Sequence, residues 1–319
     1  MNDDYVRTVQ LLLTAAPEIF ANEVFAMKGG TALNLFVQDM PRLSVDIDVV
    51  FVPHTTPRDQ ALKAIGDELA AVKGRLEKLG LAADLLRTRD GDEAKMAVTS
   101  PDAEVKVEVN FVFRGTVLPP VRTALTAAAQ EKFSANIEVP VLATAELYAS
   151  KLVAALDRQH PRDLFDVQLM FSRFGLPADF LDCFVVYLAG HNRPTHEVLF
   201  PNEHDIDAIF AAEFTGMTAV PVSLAELKAT RKKLMAELPA ALSERQRGFL
   251  LSLVRAEPDW TLLPFGHVKD LPAIRWKLAN LAKLKKNPDK FAQQHDVLAA
   301  RLAAYPSRAN GTYRDPSAR

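Results

Sequence analysis

Apolar positions recur along this chain in two rhythms. Over residues 5–21, Leu11, Leu12, Leu13 and Ile19 supply the buried face of a helix. From Pro57 to Leu79, Leu62, Ile65, Leu69, Val72, Leu76 and Leu79 return at steps of three or four, again a helical period. Between these segments the period shortens. Phe25 to Lys28 reads as a short strand or turn leading into Gly29-Gly30; Thr31 follows as an N-cap or first-turn residue, and Ala32 to Val37 reads as a helix that Met40-Pro41-Arg42 breaks. Ser44 to Val52 then alternates as a strand and stops at Pro53. Three more strand-like runs follow, Ala82–Thr88, Ala94–Thr99 and Val105–Phe113, with turns expected at Asp90-Gly91 and at Ser100-Pro101-Asp102. In the last run Val105, Val107, Val109 and Phe111 face one way and Lys106, Glu108 and Asn110 the other. Val139-Pro140-Val141 reads as a short edge strand.

The remainder is helical in pattern: Ala145–Gln159, Arg162–Phe174 and Pro177–Ala189, then a loop rich in Asn, Pro and His around His191–His204. Further helices are expected over about 223–237, 243–255, 271–284 and 289–303, and the tail from Pro306 has the composition of a disordered segment. No internal repeat is present. A mixed α/β half followed by an α-rich half argues for an α+β protein rather than a regular βαβ array. The expected boundary separates a catalytic domain, 1–195, from a helical C-terminal domain, 196–319.

Asp46 and Asp48 raise the first chemical question. Alternation puts both on one face of the Ser44–Val52 strand, about 7 Å apart by the strand rise, where they repel. Paired carboxylates on a strand, with a third on a neighbouring strand, can hold one or two divalent cations; Glu108 is the candidate third ligand. The plainer alternative is a solvated strand face, a stronger alternative for Glu108 because Lys106 lies close by on the same face. Gly29-Gly30-Thr31 opens a helix, where glycines let the backbone approach a ligand and free N–H groups favour a phosphate. Glycines at a helix start, with Asp46-x-Asp48 beginning 16 residues after Gly30, form a more specific signal than either part. Metal would neutralise the aspartates while the glycine turn grips a triphosphate.

A second motif reads KLVAALDRQHPRDLFDV, Lys151 to Val167. Lys151, Arg158, Arg162 and Asp166 are spaced 7, 4 and 4 residues apart, the spacing of one helical face, although Pro161 is expected to start a second helix there. A solvated helix laced with ion pairs would look similar.

MKGGTALNLF and RLSVDIDVVF, followed by this Lys–Arg-Asp-x-x-Asp block, resemble the nucleotidyltransferase superfamily. More specifically they resemble the AbiEii/AbiGii toxins, which include the MenT toxins. The matching blocks span residues 27–170. The glycine-to-aspartate gap is longer than in minimal nucleotidyltransferases, as expected in the toxin branch. The resemblance implies an N-terminal polymerase-beta-like mixed sheet with helices and a helical C-terminal domain. It implies transfer of NMP from an NTP, with Mg²⁺ or Mn²⁺, to an RNA acceptor, with the 3′ end of tRNA as the expected one. Asp46, Asp48 and Glu108 would ligate metal. Gly29, Gly30, Thr31, Ser44, Lys151 and Arg162 would bind nucleotide, and Asp163 or Asp166 would orient Lys151 or the base. Arg42 is a further candidate phosphate contact. The equivalent of Ser44 can be a modification site in the family, and a plain strand serine is the alternative. The expected setting is a toxin–antitoxin or phage-defence pair with a separate antitoxin, often one containing a winged helix.

Composition narrows the picture. A net charge of −2 provides no global basic field, so nucleic acid must be met by a local patch. Arg275 to Lys290, with Arg275, Lys277, Lys283, Lys285, Lys286 and Lys290 around Trp276, is the candidate, joined by Arg231-Lys232-Lys233. A solvated amphipathic helix with Leu278, Leu281 and Leu284 inside is the alternative. One cysteine excludes a disulfide framework, and the histidines show no metal-ligand spacing. The acidic start MNDDYV is unlike a secretory signal, and no apolar run approaches a membrane span; the expected location is cytoplasmic. Two other readings remain open at this level: nucleotidyl transfer to a small molecule or protein, and a non-catalytic NTP-binding interaction protein.

Overall fold

A computed structural model describes residues 3–86 and 93–305. The chain opens with α1 (Asp3–Ile19) and β1 (Phe25–Lys28), then α2 (Gly29–Ala32), which continues into a π-helical turn over Leu33–Val37. There follow β2 (Ile47–Phe51), α3 (Arg58–Lys78), β3 (Ala82–Leu86), β4 (Glu93–Ser100), β5 (Ala103–Asn110), β6 (Val121–Ala124), α4 (Ala127–Phe133) and β7 (Glu138–Val141). The rest is helical: α5 (Thr144–Asp157), α6 (Pro161–Arg173), α7 (Ala178–Ala189), α8 (Thr195–Leu199), α9 (Asp207–Glu213), α10 (Leu224–Ala241), α11 (Glu244–Val254), α12 (Pro272–Leu284) and α13 (Pro288–Ala303). The α+β class expected from the sequence is the one observed.

The strands form one mixed sheet in the order β3-β4-β5-β2-β1-β7-β6. β2 runs antiparallel to β1 and parallel to β5, and β1 runs parallel to β7. Ile47 and Val49 stand opposite Val107 and Val109, and all four are fully buried. Alternation therefore turns Asp48 and Glu108 to the other side. α1 packs on β5 and α3 on β3, while α2 touches β2 and α5. α5 packs against both α6 and α7, and α10 closes on α6. The site is thus framed by the sheet on one side and the α5–α6 corner on the other.

Four expectations need correction. The Ser44–Val52 strand begins only at Ile47. Ahead of it, Leu43 N donates to Met217 O and Ala219 N to Pro41 O, so pairing with the C-terminal half draws residues 41–43 off the sheet. Strand β5 ends at Asn110 rather than Phe113, because the Asn110 side chain accepts from Val112 N and Phe113 N and turns the chain. The Val139-Pro140-Val141 strand is internal, not at the edge: β6, unrecognised in the sequence, covers its outer side. Pro140 is tolerated because β7 pairs with β1 only at Val141. The His191–His204 loop contains a short helix, α8. Asp90-Gly91 and the tail from Pro306 lie outside the described residues.

Glu146 ties the halves together. It is fully buried on α5 and accepts from Val117 N at 2.8 Å, Leu118 N at 2.9 Å and the Tyr187 hydroxyl at 3.0 Å. Phe113 stacks on Tyr187 with ring centroids 4.4 Å apart. The segment after β5 is thereby pinned to α5 and α7. Replacing Glu146 with Ala orphans two backbone donors and a hydroxyl, so urea denaturation should show a loss of about 3 kcal/mol; Glu146→Gln, which keeps one carbonyl oxygen, should lose less.

Candidate active site

Lys28 ends β1, and Gly29 turns the chain at φ +80°, a backbone setting open to glycine. A Cβ on Gly29 would stand 2.1 Å from Asp48 Oδ2, and one on Gly30 would stand 2.5 Å from Arg42 Nη2 and 2.8 Å from Ser44 Oγ. Both glycines therefore make room for the side chains of Asp48, Arg42 and Ser44. Asn34 fixes the turn, donating to Gly30 O at 2.8 Å and accepting from Arg42 N at 3.2 Å.

Strand register assembles a charged row across four strands. Lys95 of β4 stands opposite Glu108 of β5, Glu108 opposite Asp48 of β2, and Asp48 opposite Lys28 of β1. Two neighbouring carboxylates are flanked by a cation on each side, and Lys95 Nζ reaches Glu108 at 2.9 Å. Burial pushes the Asp48 carboxyl above the usual carboxylate range; Lys28 and Lys151 pull it back, while Glu108 and Asp46 add to the rise. Asp46 lies just before β2 and is exposed.

Opposite this row stands a buried ion network. Arg42 makes a bidentate pair with Asp166, both bonds 2.7 Å, with side-chain exposures of only 2% and 0%. Lys151 Nζ bridges Asp163 at 2.9 Å and Asp166 at 3.1 Å, and Arg158 holds the other oxygen of Asp163 at 2.7 Å. Burial would raise the Asp163 carboxyl, but Lys151 and Arg158 outweigh it and hold it at about 2. Burial likewise opposes the charge on Lys151, and the two aspartates override it, so the ammonium stays protonated. Pro161 does start a new helix, α6, capped by His160 Nδ1 accepting from Arg162 N.

Between the two lies a cavity of about 230 Å³. Gly30, Ser44, Asp46, Asp48 and Glu108 line it from the sheet side, Lys151, Arg158, His160, Arg162 and Asp163 from the α5–α6 corner, with Arg42 at their junction. One wall is rich in carboxylates, the other in cations. The volume falls below the roughly 300 Å³ at which pockets for whole drug-sized ligands begin, and suits the charged part of a nucleotide. Three expected residues, Gly29, Thr31 and Asp166, stand off this lining. Thr31 is buried with its hydroxyl 3.1 Å from Ser44 Oγ, and Asp166 sits behind Arg42 and Lys151. Arg162 reaches the cavity from α6 and pairs with Glu213 of α9 at 3.5 Å. Unforeseen were the Arg42–Asp166 pair, the flanking Lys28 and Lys95, and Asn34. Lys28 alone had a visible signal, its place directly before the glycines.

The oxygen donors of Asp46 and Asp48 fit a hard divalent cation, since burial and like charge both leave Asp48 in want of a counter-charge. Glu108 is adjacent but engaged by Lys95. Among the described residues no three acidic, His or Cys groups gather into a preformed metal cluster.

The C-terminal basic segment needs correction. Lys277 is buried and donates to His191 O and Arg193 O at 3.0 and 2.6 Å, so it belongs to the packing of α12 on the end of α7. Arg275 pairs with Asp270 and Lys285 with Glu257; Trp276 is 56% exposed. Arg231 is also buried, held by Glu203 and His204 O. A second cavity, about 270 Å³ and lined by Arg193, His196, Glu197 and Arg301 among others, holds none of the expected site residues.

Comparison with known proteins accords with this geometry. The family described as nucleotidyl transferase AbiEii toxin, Type IV TA system, matches residues 10–280. No curated protein matches the chain in sequence. Among solved structures, the fold is similar to that of the MenT4 nucleotidyltransferase toxin of Mycobacterium tuberculosis H37Rv. That likeness has a TM-score of 0.59 and 20% identity, and covers 87% of this chain and 93% of the other.

The depressed Asp163 carboxyl carries a pH signature. Its folded pKa of about 2 lies below the ordinary value of about 3.9. The stability it contributes, about 2–3 kcal/mol, is present above pH ~4 and is lost as pH falls towards ~2. Denaturation midpoints followed across that window should show this loss in the parent chain. Asp163→Asn should be less stable at neutral pH and lack that part of the acid slope.

Proposed function

The chain belongs to the AbiEii family of nucleotidyl transferase toxins, and we propose that it transfers NMP from a metal-held NTP to the 3′ end of an RNA, with tRNA as the acceptor. The observation that carries this reading is the cavity whose acidic wall faces a basic one. Asp46 and Asp48 would hold Mg²⁺ or Mn²⁺, which supplies charge neutralisation for the phosphates and a fixed site for the attacking oxygen. The triphosphate would lie against Gly30, which lines the cavity, while Gly29 behind it makes room for Asp48. Thr31 supports this turn through Ser44 instead of contacting the phosphates directly. Lys151, Arg158 and Arg162 would face the β- and γ-phosphates and offset the charge that builds as pyrophosphate leaves.

In the reaction, the acceptor hydroxyl attacks the α-phosphorus. A new P–O bond forms, the bond to the bridging oxygen breaks, and pyrophosphate departs. Glu108, beside Asp48 in the row, would take the hydroxyl proton. Asp163 and Asp166 keep Lys151 charged and aimed; they act through it. The antitoxin partner, which we take to contain a winged helix, would act where this cavity opens, with Ser44 on its lining as the residue open to modification. The cytoplasm is the setting in which such an RNA-directed toxin would work.

The test is incubation of the protein with Mg²⁺, each labelled NTP in turn and total cellular RNA. Label should appear in a tRNA-sized band with at least one NTP, and Asp46→Ala should lower it by about two orders of magnitude or more. Label confined to protein or to small molecules would contradict the RNA acceptor. Label undiminished in Asp46→Ala would contradict the assignment of the acidic wall.

A further inference from the structure

At the other end of β2 from the catalytic cavity lies a cluster of cations that the mechanism above does not use. Asp48 to His54 is six residues along an extended chain, roughly 20 Å by the strand rise. There Gly115 N donates to Phe51 O at 2.8 Å, holding the segment after β5 against the end of β2. The approach is close enough that a Cβ on Gly115, whose φ is +83°, would stand 2.5 Å from His54 Cβ and 2.6 Å from Leu271 Cδ2. His267 donates to Thr116 O, and the His54 and His267 rings lie 5.3 Å apart.

Arg114, beside this glycine, is only 4% exposed. Its Nε and Nη1 have no hydrogen-bond partner among the described residues. Among the described residues, a charge that acts on it is another cation, Arg58, the first residue of the 21-residue α3. That helix begins behind Pro57, which offers no side-chain cap to the first free N–H groups. Arg275, on the α12 side of His54, already has Asp270 as its partner, and Asp59 is exposed in the first turn of α3. A guanidinium does not shed its proton at physiological pH, so burial without an acceptor is unfavourable until an anion arrives. Arg58 on an uncapped helix start, with the buried Arg114 guanidinium within electrostatic reach of it, supplies the forked donors and the positive dipole end that a phosphate takes.

We propose that Arg114, Arg58 and the N-terminus of α3 form a phosphate-binding site separate from the catalytic cavity. The phosphate is either a phosphodiester of the acceptor strand, an option that rests on the RNA reading above, or a free phosphate. In the first case the site sets how the acceptor lies across the sheet while its 3′ end reaches Asp46 and Asp48.

Thermal unfolding of the full chain in inorganic phosphate, against chloride at equal ionic strength and without divalent metal, reads the site directly. Phosphate should raise the Tm of the parent chain. Arg58→Ala, an exposed change, should weaken that response several-fold while leaving the Tm in chloride unchanged. Arg114→Met should abolish the response and melt in chloride no lower than the parent, because a buried unpaired charge is gone. In parallel, tRNA binding is followed by fluorescence anisotropy over a salt series. A fall of about one in the salt slope for Arg58→Ala assigns the site to the strand backbone. An unchanged slope with a lost phosphate response supports the site and assigns it to free phosphate. If the parent chain binds no tRNA, the acceptor reading fails while the phosphate arm still decides the site. A phosphate response equal in all three proteins, or an Arg114→Met protein that melts lower with its response intact, overturns the proposal.

Discussion

The buried pair between Arg42 and Asp166 is the constraint on which the site depends. Its members lie 124 residues apart in sequence and join the loop after the glycine helix to α6, with both bonds at 2.7 Å. Arg42 lies beneath Gly30, so a side chain there would strike its guanidinium. Asp166 in turn shares Lys151 with Asp163. One ion pair thereby fixes the glycine turn, the cationic wall and the orientation of the lysine. Pairs of this kind add little net stability relative to a well-packed apolar replacement, because desolvation opposes the attraction. Their presence here makes sense as positioning.

The opposite wall is organised by register. β1, β2, β4 and β5 bring Lys28, Asp48, Glu108 and Lys95 into one row, so adjacent carboxylates are tolerated between cations instead of forcing the strands apart. The two walls carry opposite charge and face each other across a small cavity, an arrangement suited to a metal-bridged triphosphate with carboxylates on the metal and cations on the phosphates. The packing of the C-terminal half closes this arrangement from outside. Residues 217–219 pair with the Arg42 segment, and Glu213 holds His160 and Arg162.

Much of this was legible in the chain because the residues concerned announce their own chemistry. Gly29-Gly30 before a helix, Asp46-x-Asp48 at a strand and Lys151 ahead of Arg162-Asp163 are local patterns whose meaning survives without knowing the fold. Helices with a strong apolar period, such as α3, were also legible almost to their ends. What was hidden depended on distant partners. Arg42 read as a helix-breaking residue and a candidate phosphate contact, and only folding brings Asp166 to it. Val139–Val141 looked like an edge because the strand that covers it, β6, is exposed in pattern and four residues long. Lys277 and Arg231 looked like a solvated basic face, yet each caps carbonyls from elsewhere. Asn110 ended a strand whose apolar alternation continued past it, because its side chain competed for the next two amides.

The central claim is that the buried ion network exists to aim the cationic wall and not to stabilise the fold. The direct measurement is a cycle with Arg42→Met, Asp166→Leu and the two together, following urea denaturation and RNA-dependent pyrophosphate release on the same proteins. Asp166→Leu strands the buried Arg42 and should lower stability by about 3–5 kcal/mol, whereas Arg42→Met leaves Asp166 with Lys151 and should cost less. The double variant should regain most of that loss while its transfer rate stays about a hundredfold or more below the parent. Recovery of transfer together with stability in the double variant would contradict the account, and would make the network a scaffold that any well-packed pair can replace.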